Sequence, residues 1–382
     1  MLIERTKRRH LRSPFFFNSM KRHLAQFQEA IAANTALILL CVFYSIAIYI
    51  FADSLGLGHR YDVFGSSAPI IFILMAGSLC IALAAWAKTL RLEKPERHFP
   101  HLLTYLKTQL RQNGGVFTYA IPLILISTLV AAFTTFKSIY PLAAPFSWDQ
   151  SFSEWDKMLH FGVDPWKITH ALFGGDIPSF AINWAYNMWF GFMWISICGA
   201  LLSTNKGMIR RQYLISFCLC WILIGTIGAG LLSSAGPVYY AEVTGNSASY
   251  SALMDKLYET DARLNESFGL SLLALDIQEM LWQVYSSKGE LFGGGISAMP
   301  SMHVSIATLM ALGAWKFNNK VGVAFTVYAV IIQIGSVHLG WHYAIDGYVS
   351  ALVTIGIWQA VGFILSSNAR YEISAVEPKP QT

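Results

Sequence analysis

Two short polar stretches interrupt otherwise apolar sequence in the last hundred residues of the chain. The first covers residues 297–303 and contains His303, and the second covers residues 336–346 and contains His342 and Asp346. Ionisable groups at the ends of membrane-length apolar runs are costly, and they usually mark function. We therefore interpret the two stretches as halves of one active site.

The second stretch has the spacing of an oriented histidine. His342 and Asp346 are four residues apart, so on a helix they would share one face, and the carboxylate would accept the imidazole Nδ1–H. Nε2 would then be available as a nucleophile, because histidine can form covalent intermediates when a third group orients it. A structural i, i+4 hydrogen-bonded pair is the alternative interpretation.

The first stretch predicts the start of a helix. Ser297 is a suitable N-cap, and Pro300 is tolerated in an opening turn. The unpaired N–H groups of that turn, together with the Ser301 hydroxyl, would form a place for a phosphate. His303, one turn in, would face it as a proton donor. In the alternative, Ser301 only caps the helix and His303 bonds a neighbouring helix.

The elements that position these residues are predicted to be membrane helices. The chain has 382 residues, of which 54% are hydrophobic and only 13% charged, whereas soluble domains average about 25% charged residues. About eight apolar runs approach the roughly 20 residues needed to cross a bilayer, which predicts an all-α integral membrane protein. The predicted spans are residues 31–52, 68–87, 116–136, 181–203, 213–232, 300–315, 321–337 and 342–365.

Basic residues give these spans an orientation. They cluster in residues 1–30, between the second and third spans, and after the fourth span, and the positive-inside rule places such clusters in the cytoplasm. Both polar stretches and the Gly236-Pro237 turn then lie at the external face, beside external segments 137–180 and 233–297. The charge of +5 is therefore not interpreted as a nucleic-acid signal. We expect a bacterial inner-membrane protein with cytoplasmic termini and a periplasmic site.

Together these residues resemble a known family, the type 2 phosphatidic acid phosphatases, and most closely its inositol phosphorylceramide and sphingomyelin synthase-like branch. Residues 300–303, Pro-Ser-Met-His, are similar to the family's Pro-Ser-Gly-His motif, with Met302 replacing glycine. His342 and Asp346 match its last His-x-x-x-Asp motif. The resemblance implies that His342 is the nucleophile, that Asp346 orients it, and that His303 protonates the leaving group.

The resemblance, which covers roughly residues 213–365, also implies a division of the chain. A six-span catalytic core would occupy residues 116–366. A basic cytoplasmic segment at 1–30 and two accessory helices with a basic loop at 31–115 would precede it, and a cytoplasmic tail at 367–382 would follow.

The phosphate clamp departs from the family's pattern. The family's third motif usually reads Ser-Arg where this chain has Gly335 and Ser336. The first motif contains Arg-Pro, but no arginine precedes a proline in this chain. The Gly236-Pro237 turn is therefore expected in place of the first motif. The predicted phosphate contacts are Ser301, Met302, Ser336 and His338. A satisfied interfacial histidine is an equal alternative for the last of these. The external candidate cations, each also interpretable as a solvated loop charge, are Lys167, Lys256, Arg263 and Lys288.

The expected activity is that of a lipid phosphatase or phosphotransferase. It would cleave a phosphoester or pyrophosphate of a phospholipid or polyprenyl phosphate at the external leaflet through a phosphohistidine, with water or a lipid alcohol as acceptor. No cofactor or metal is expected. One rival is a transporter or channel that uses the external histidines, but that class favours ionisable groups near the bilayer midplane. A haem carrier would need a second histidine pair below the first.

Overall fold

The computed structural model describes residues 14–376, apart from 94, 96, 113–114, 204–206, 288 and 290–293. Every regular element in these ranges is helical. The helices are α1 (Pro14–Ala33), α2 (Thr35–Ser54), α3 (Val63–Glu93), α4 (His98–Gln112), α5 (Val116–Ala143), α6 (Asp149–Leu159), α7 (Pro165–Phe173), α8 (Asp176–Asn187), α9 (Trp189–Leu202), α10 (Gly207–Leu231, π-helical over Cys220–Gly228), α11 (Tyr240–Thr244), α12 (Ser251–Phe268), α13 (Leu273–Ser286), α14 (Met302–Trp315), α15 (Asn319–His338) and α16 (Ala344–Val376).

The membrane-length helices confirm the predicted all-α integral membrane fold. Within the described ranges, seven stretches are long and apolar enough to cross a membrane, with α8 and α9 forming one of them. The shorter apolar helix α14 brings the number to the predicted eight. Its 14 residues extend only about 21 Å, less than the roughly 30 Å of a hydrocarbon core.

Several predicted span ends are wrong. Helix α5 continues past residue 136 to Ala143. Helix α14 begins at Met302 instead of Pro300, and α16 begins at Ala344 instead of His342. In each case hydrogen bonding and burial decide where the helix begins or ends, and neither can be read from the length of an apolar run.

Helix α14 is central, and it packs against α9, α10, α15 and α16. Small residues allow the close approach of α10. A Cβ atom at Gly228 would lie 3.0 Å from the Pro300 ring, and one at Gly225 would lie 3.0 Å from the Met302 sulfur. The two glycines therefore bring α10 directly against the start of α14.

Helices α2 and α3 flank this core by packing on α5. The Tyr44 hydroxyl also lies 2.8 Å from Thr226 Oγ1 of α10. The outer faces of α2 and α3 are apolar, as suits side chains that face lipid. Phe43 is 66% exposed and Phe72 is 73% exposed. The division into an accessory pair and a six-span core remains a prediction.

The two predicted external segments contain short helices. Helices α6 and α7 lie in the first, and α11, α12 and α13 lie in the second. Helix α6 buries Asp149, Phe152, Ser153 and Asp156, which recur on one helical face.

One end of the bundle, which we call the site end, brings the polar stretches together. Helices α5, α10 and α15 finish there, and α14 and α16 begin there. The Ser301 backbone N–H donates to the Asp346 carbonyl at 3.3 Å, joining the two stretches as predicted. Lys316 and Lys320 lie at the opposite end of α14 and α15.

Candidate active site

His342 and Asp346 form the centre of the site. His342 Nδ1 lies 3.3 Å from Asp346 Oδ2, which also accepts the Tyr343 backbone N–H at 3.1 Å. His342 is 5% exposed and Asp346 is fully buried. The two side chains meet, but His342 precedes α16 and does not share a helical face with Asp346, since the chain turns at residues 339–343 before the helix starts.

His342 is an uncharged imidazole near neutral pH. It lies in the connection between α15 and α16. Burial lowers the pKa of His342 to about 3, and the nearby Lys137 ammonium lowers it further, against a hydrogen bond with the Ala298 backbone that raises it. An uncharged imidazole has the lone pair that a nucleophile needs.

His303 lies across from His342 on the second residue of α14. Its ring is held between two aromatic rings, with centroid distances of 4.6 Å to Tyr186 and 4.4 Å to Trp189. The Trp189 indole N–H also donates to the His303 carbonyl at 2.9 Å. The His303 and His342 centroids are 6.2 Å apart. The two imidazoles are therefore neighbours.

Ser301 caps the helix that carries His303. Its hydroxyl accepts the Val304 backbone N–H at 3.4 Å. The predicted N-cap at Ser297 is therefore wrong, and Pro300 lies before the helix, because the backbone turns into α14 only at Ser301. Ser301 is fully buried, and the geometry corresponds to the alternative in which its hydroxyl acts as a cap.

Met302 does not offer its side chain to a phosphate. The sulfur packs toward Gly225 of α10, as does the Phe133 ring of α5. Its contribution to anion binding is thus limited to the backbone N–H in the first turn of α14.

Buried polar atoms without a partner surround the two histidines. Among the described residues, none hydrogen-bonds to Trp341 Nε1 or Asp346 Oδ1, and Ser336 Oγ and Tyr186 OH lie close enough to interact with each other but make no well-formed hydrogen bond. Tyr186 stacks on His303, and its ring lies 6.4 Å from that of Trp341 at 9°. The Ser336 carbonyl accepts the His342 backbone N–H at 3.0 Å. Buried polar atoms of this kind are unusual unless another molecule satisfies them.

Gly335 has a steric role beside Ser336. A Cβ atom there would lie 3.1 Å from the Tyr186 ring and 3.2 Å from Ile182. The glycine therefore lets α15 approach α8 closely enough for Tyr186 to reach His303.

His338, a predicted phosphate contact, lies in a different cluster from His342. Helix α15 ends at His338, so the two are not on one helix. His338 Nε2 lies 2.9 Å from Ser179 Oγ, and its ring stacks on His170 at 3.9 Å. His170 Nε2 in turn donates to the His338 carbonyl at 2.9 Å.

Asp149, which sequence reasoning missed, fixes the Gly236-Pro237 turn at the site. Its carboxylate accepts the backbone N–H of Ala235 at 2.9 Å and of Gly236 at 2.8 Å, and also the Tyr343 hydroxyl at 2.9 Å. Gly236 has φ +100°, and a Cβ atom there would lie 2.5 Å from the Trp341 carbonyl oxygen. The turn therefore requires glycine and packs directly against the segment that carries His342.

Asp156, also missed, caps the helix that carries Asp346. Its two carboxylate oxygens accept the backbone N–H of Ala344 at 2.6 Å and of Ile345 at 2.9 Å. Burial raises the pKa of Asp156 to about 6, against the two backbone hydrogen bonds that lower it. Asp156 therefore orients the first turn of α16, and with it Asp346.

Two of the predicted external cations are already paired. Arg263 binds Asp176 at 2.9 Å, and Lys167 binds Asp164 at 2.8 Å. Lys256 is exposed, and Lys288 lies outside the described residues.

Lys137 carries a positive charge that acts on His342. It lies near the site end of α5, where its side chain borders Gly295 of the segment that leads to Ser301. No carboxylate of a described residue pairs with it. A lone lysine in a membrane helix signals function, but the predicted span stopped at residue 136 and left Lys137 in a loop.

One comparison with known proteins gives a match. A family model described as the PAP2 superfamily matches residues 150–360, which is more than half of the chain. The matched range includes His303, His342 and Asp346. No curated protein and no solved structure matches the chain significantly. The synthase-like branch remains a prediction.

Proposed function

Because the chain belongs to the PAP2 superfamily, we propose that it is a membrane-embedded, phosphatase-type enzyme that cleaves a lipid phosphoester or pyrophosphate through His342. One observation carries this proposal: the buried, uncharged His342 has Nδ1 on Asp346 and faces His303 across 6.2 Å. Nucleophile, orienting group and proton donor are thus within reach of one phosphorus atom.

In the first proposed step, the Nε2 lone pair of His342 attacks phosphorus. The bond from phosphorus to the leaving oxygen breaks, its electron pair stays on that oxygen, and protonated His303 supplies the proton. A phosphorus–nitrogen bond now joins the phosphoryl group to His342. Asp346 stabilises the positive charge that develops on the imidazole.

In the second step, water or a lipid alcohol attacks the phosphohistidine. His303, now uncharged, accepts the proton of the attacking hydroxyl as its oxygen bonds to phosphorus. The phosphorus–nitrogen bond breaks, and its electron pair returns to His342. Both histidines regain their starting protonation states.

Phosphate oxygens are proposed to bind between one cation and several uncharged donors. Lys137 supplies the positive charge, since its side chain borders Gly295 in the segment that leads to Ser301 and His303. The hydroxyls of Ser336 and Tyr186 and the indole N–H of Trp341 supply hydrogen bonds. Preorganised donors of this kind stabilise charge that develops in a transition state.

The substrate is proposed to be a phospholipid or polyprenyl phosphate at the external leaflet. The site lies at the ends of apolar helices, where lipid headgroups reside. Lys316 and Lys320 lie at the opposite end, and the positive-inside rule would place that end in the cytoplasm.

Trapping the intermediate tests the mechanism. Purified protein is mixed with a lipid carrying radiolabelled phosphate, quenched in alkaline detergent, which preserves phosphohistidine, and digested. We expect label on the peptide that contains His342, and none after His342→Ala. Robust turnover without any trapped label would instead indicate direct displacement.

The acceptor is tested separately by thin-layer chromatography. The same labelled lipid is offered with and without diacylglycerol, ceramide or a polyprenol. Free phosphate as the sole product would identify a phosphatase, whereas a new labelled lipid that depends on the added alcohol would identify a transferase.

A further inference from the structure

The connection between α6 and α7 has an exposed apolar tip at the site end. Phe161 is 99% exposed, and its φ of +58° is a left-handed conformation that bulky residues rarely adopt. The Gly162 backbone N–H donates to the Lys157 carbonyl at 2.7 Å, and the Val163 N–H donates to the His160 carbonyl at 3.1 Å. These hydrogen bonds fix the turn and hold the Phe161 ring outside the protein.

Both flanking helices add apolar side chains beside this tip. On α6 the exposed apolar residues recur at i, i+3 and i+4, and on α7 they recur at i and i+4, as on amphipathic helices. A different face of α6, which includes Phe152 and Asp156, is buried. We call the exposed set the tip surface; it consists of Trp155, Met158, Leu159, Phe161, Ile168 and Leu172.

The tip surface adjoins the exposed side of α16. His160 Nε2 lies 3.0 Å from the Tyr348 hydroxyl, and Tyr348 belongs to the membrane-length stretch Ala344–Ser367. Tyr348 and Leu352, one turn further along α16, are both exposed, and on a membrane span such side chains face lipid. The α6–α7 connection therefore meets α16 within its first two turns, where a span passes from headgroups into hydrocarbon.

The charges beside the tip surface suit a phospholipid boundary. Lys157 and Lys167 bind the buried Asp164 at 3.2 and 2.8 Å, and both lysine side chains remain partly exposed. The exposed acid of α6, Glu154, lies two turns before the tip. Long cationic side chains beside an apolar face can reach headgroup phosphates while that face enters the acyl region.

We propose that the tip surface inserts into the leaflet at the site end and anchors the α6–α7 connection at the boundary between headgroups and acyl chains. Interfacial amphipathic segments bind in this way, with the apolar face buried roughly 5–10 Å into the membrane. Helix α6 also carries Asp156, which caps α16. The leaflet therefore holds in place the helix that orients the first turn of α16. The position of this anchor does not depend on the proposed reaction.

Spin-label accessibility tests the anchor in the full-length protein. Cys80, the exposed cysteine, is first changed to Ser, which leaves four buried cysteines. Phe161→Cys and Leu172→Cys are then labelled with a nitroxide in liposomes of phosphatidylcholine and phosphatidylglycerol. Oxygen concentrates in hydrocarbon, whereas a nickel chelate stays in water. We expect a several-fold higher ratio of oxygen to nickel collisions at both positions than at Asp255→Cys, an exposed position of α12.

Phe161→Asp tests the tip itself, with the label at Leu172. A carboxylate is costly to place in hydrocarbon, so the collision ratio at Leu172 should fall several-fold, toward the ratio at Asp255. The matched control, Phe268→Asp, changes an exposed phenylalanine at the end of α12 and should leave the ratio at Leu172 unchanged.

Other patterns of collision would overturn the proposal. Ratios at Phe161 and Leu172 equal to that at Asp255 would place the tip surface in water. Few collisions with either reagent would show that protein, such as a second copy of the chain, covers it. An unchanged ratio at Leu172 in Phe161→Asp would show that Phe161 is not the anchor. Because the readout is a collision rate, a protein that turns over no phospholipid would report the anchor equally well.

Discussion

Two groups of histidines lie at the site end of the bundle. In the first, the rings of His303 and His342 are 6.2 Å apart, and His342 contacts Asp346. In the second, His338 stacks on His170 at 3.9 Å and bonds Ser179. Each group has one histidine near the connection between α15 and α16, His342 within it and His338 at the end of α15. Both groups are buried, yet their surroundings differ in kind.

Since both groups contain buried histidines, only the neighbours of each imidazole can distinguish a histidine proposed to react from one that holds the fold together. His342 has a carboxylate and a nearby ammonium, and unpartnered polar atoms lie around it. His170 has a carbonyl and a stacked ring, and burial lowers its pKa. The second group therefore joins α7 and α8 to the end of α15, and no described carboxylate contacts either of its imidazoles.

The largest effect is expected from His342→Ala. Loss of the nucleophile should reduce kcat by about four orders of magnitude or more, as for other covalent catalysts. The measurement is turnover of the labelled lipid, with size-exclusion chromatography in detergent as the check on folding. A folded variant with wild-type turnover would remove the chemical distinction between the two groups.

The second largest effect is expected from Asp346→Asn, which should reduce kcat by about 10³- to 10⁴-fold. An amide in place of the carboxylate leaves His342 Nδ1 without an anionic acceptor, so the wrong tautomer is presented to the substrate. Substrate affinity should change little, since Asp346 touches the imidazole and not the phosphate. A variant that loses affinity and keeps kcat would contradict the orienting role.

Lys137→Met should reduce kcat/KM by about 10²-fold, because it removes a cation that acts on His342. Lys137→Arg should recover part of the loss. Lys256→Met is the matched control, since the Lys256 charge acts on His170 in the second group, and it should stay within about twofold of wild type. Equal losses in both lysine variants would argue for a general electrostatic effect on the whole site end.

The fold was largely predictable because hydrophobic length is a local property of sequence. Eight apolar runs predicted eight membrane helices, and the basic clusters predicted which ends lie together. Helix ends were less predictable, since α5 continues through Lys137 to Ala143 where charge and proline dilute the apolar signal. That error at one end concealed the cation of the candidate site.

The pairing of His342 with Asp346 was predictable from spacing and from the family resemblance. The contacts of Asp149 and Asp156 with residues 343–345 were not, because they join positions almost two hundred residues apart. A signal did exist in the sequence: Asp149, Phe152, Ser153 and Asp156 recur as one stripe of α6. Acids within such a stripe are costly to bury unless they have partners, so the stripe indicates contacts elsewhere.

Asp156→Asn should have a smaller, pH-dependent effect. Above pH about 6 the carboxylate accepts both N–H groups of α16, and below it protonation replaces one acceptor with O–H. Wild-type turnover should therefore fall by about tenfold as pH drops through 6, in the range of a lost helix cap. The variant should show the lower rate throughout. Titration of His342 does not contribute to this fall in turnover near pH 6, because its pKa is about 3.

The contribution of Asp156 to the free energy of unfolding should change with pH in the direction opposite to turnover. The pKa of Asp156 is about 6 in the folded protein against 3.8 ordinarily, so the folded state binds the proton more tightly. The free energy of unfolding of wild type, relative to Asp156→Asn, should therefore be greatest below pH about 4 and fall as pH rises to about 6. Thermal unfolding in detergent measures it. An unchanged acid limb in the variant's turnover would contradict the positioning role.

The smallest effect on activity is expected from His338→Ala. Turnover should stay within about threefold of wild type, because His338 bonds Ser179 and not the reacting group. Stability should fall by about 1–3 kcal/mol, since the stacked pair is broken and the buried Ser179 hydroxyl loses a partner. His342→Ala should do the reverse, abolishing turnover with little change in thermal unfolding. A His338→Ala protein that is stable but inactive would place His338 in the phosphate site and merge the two groups into one.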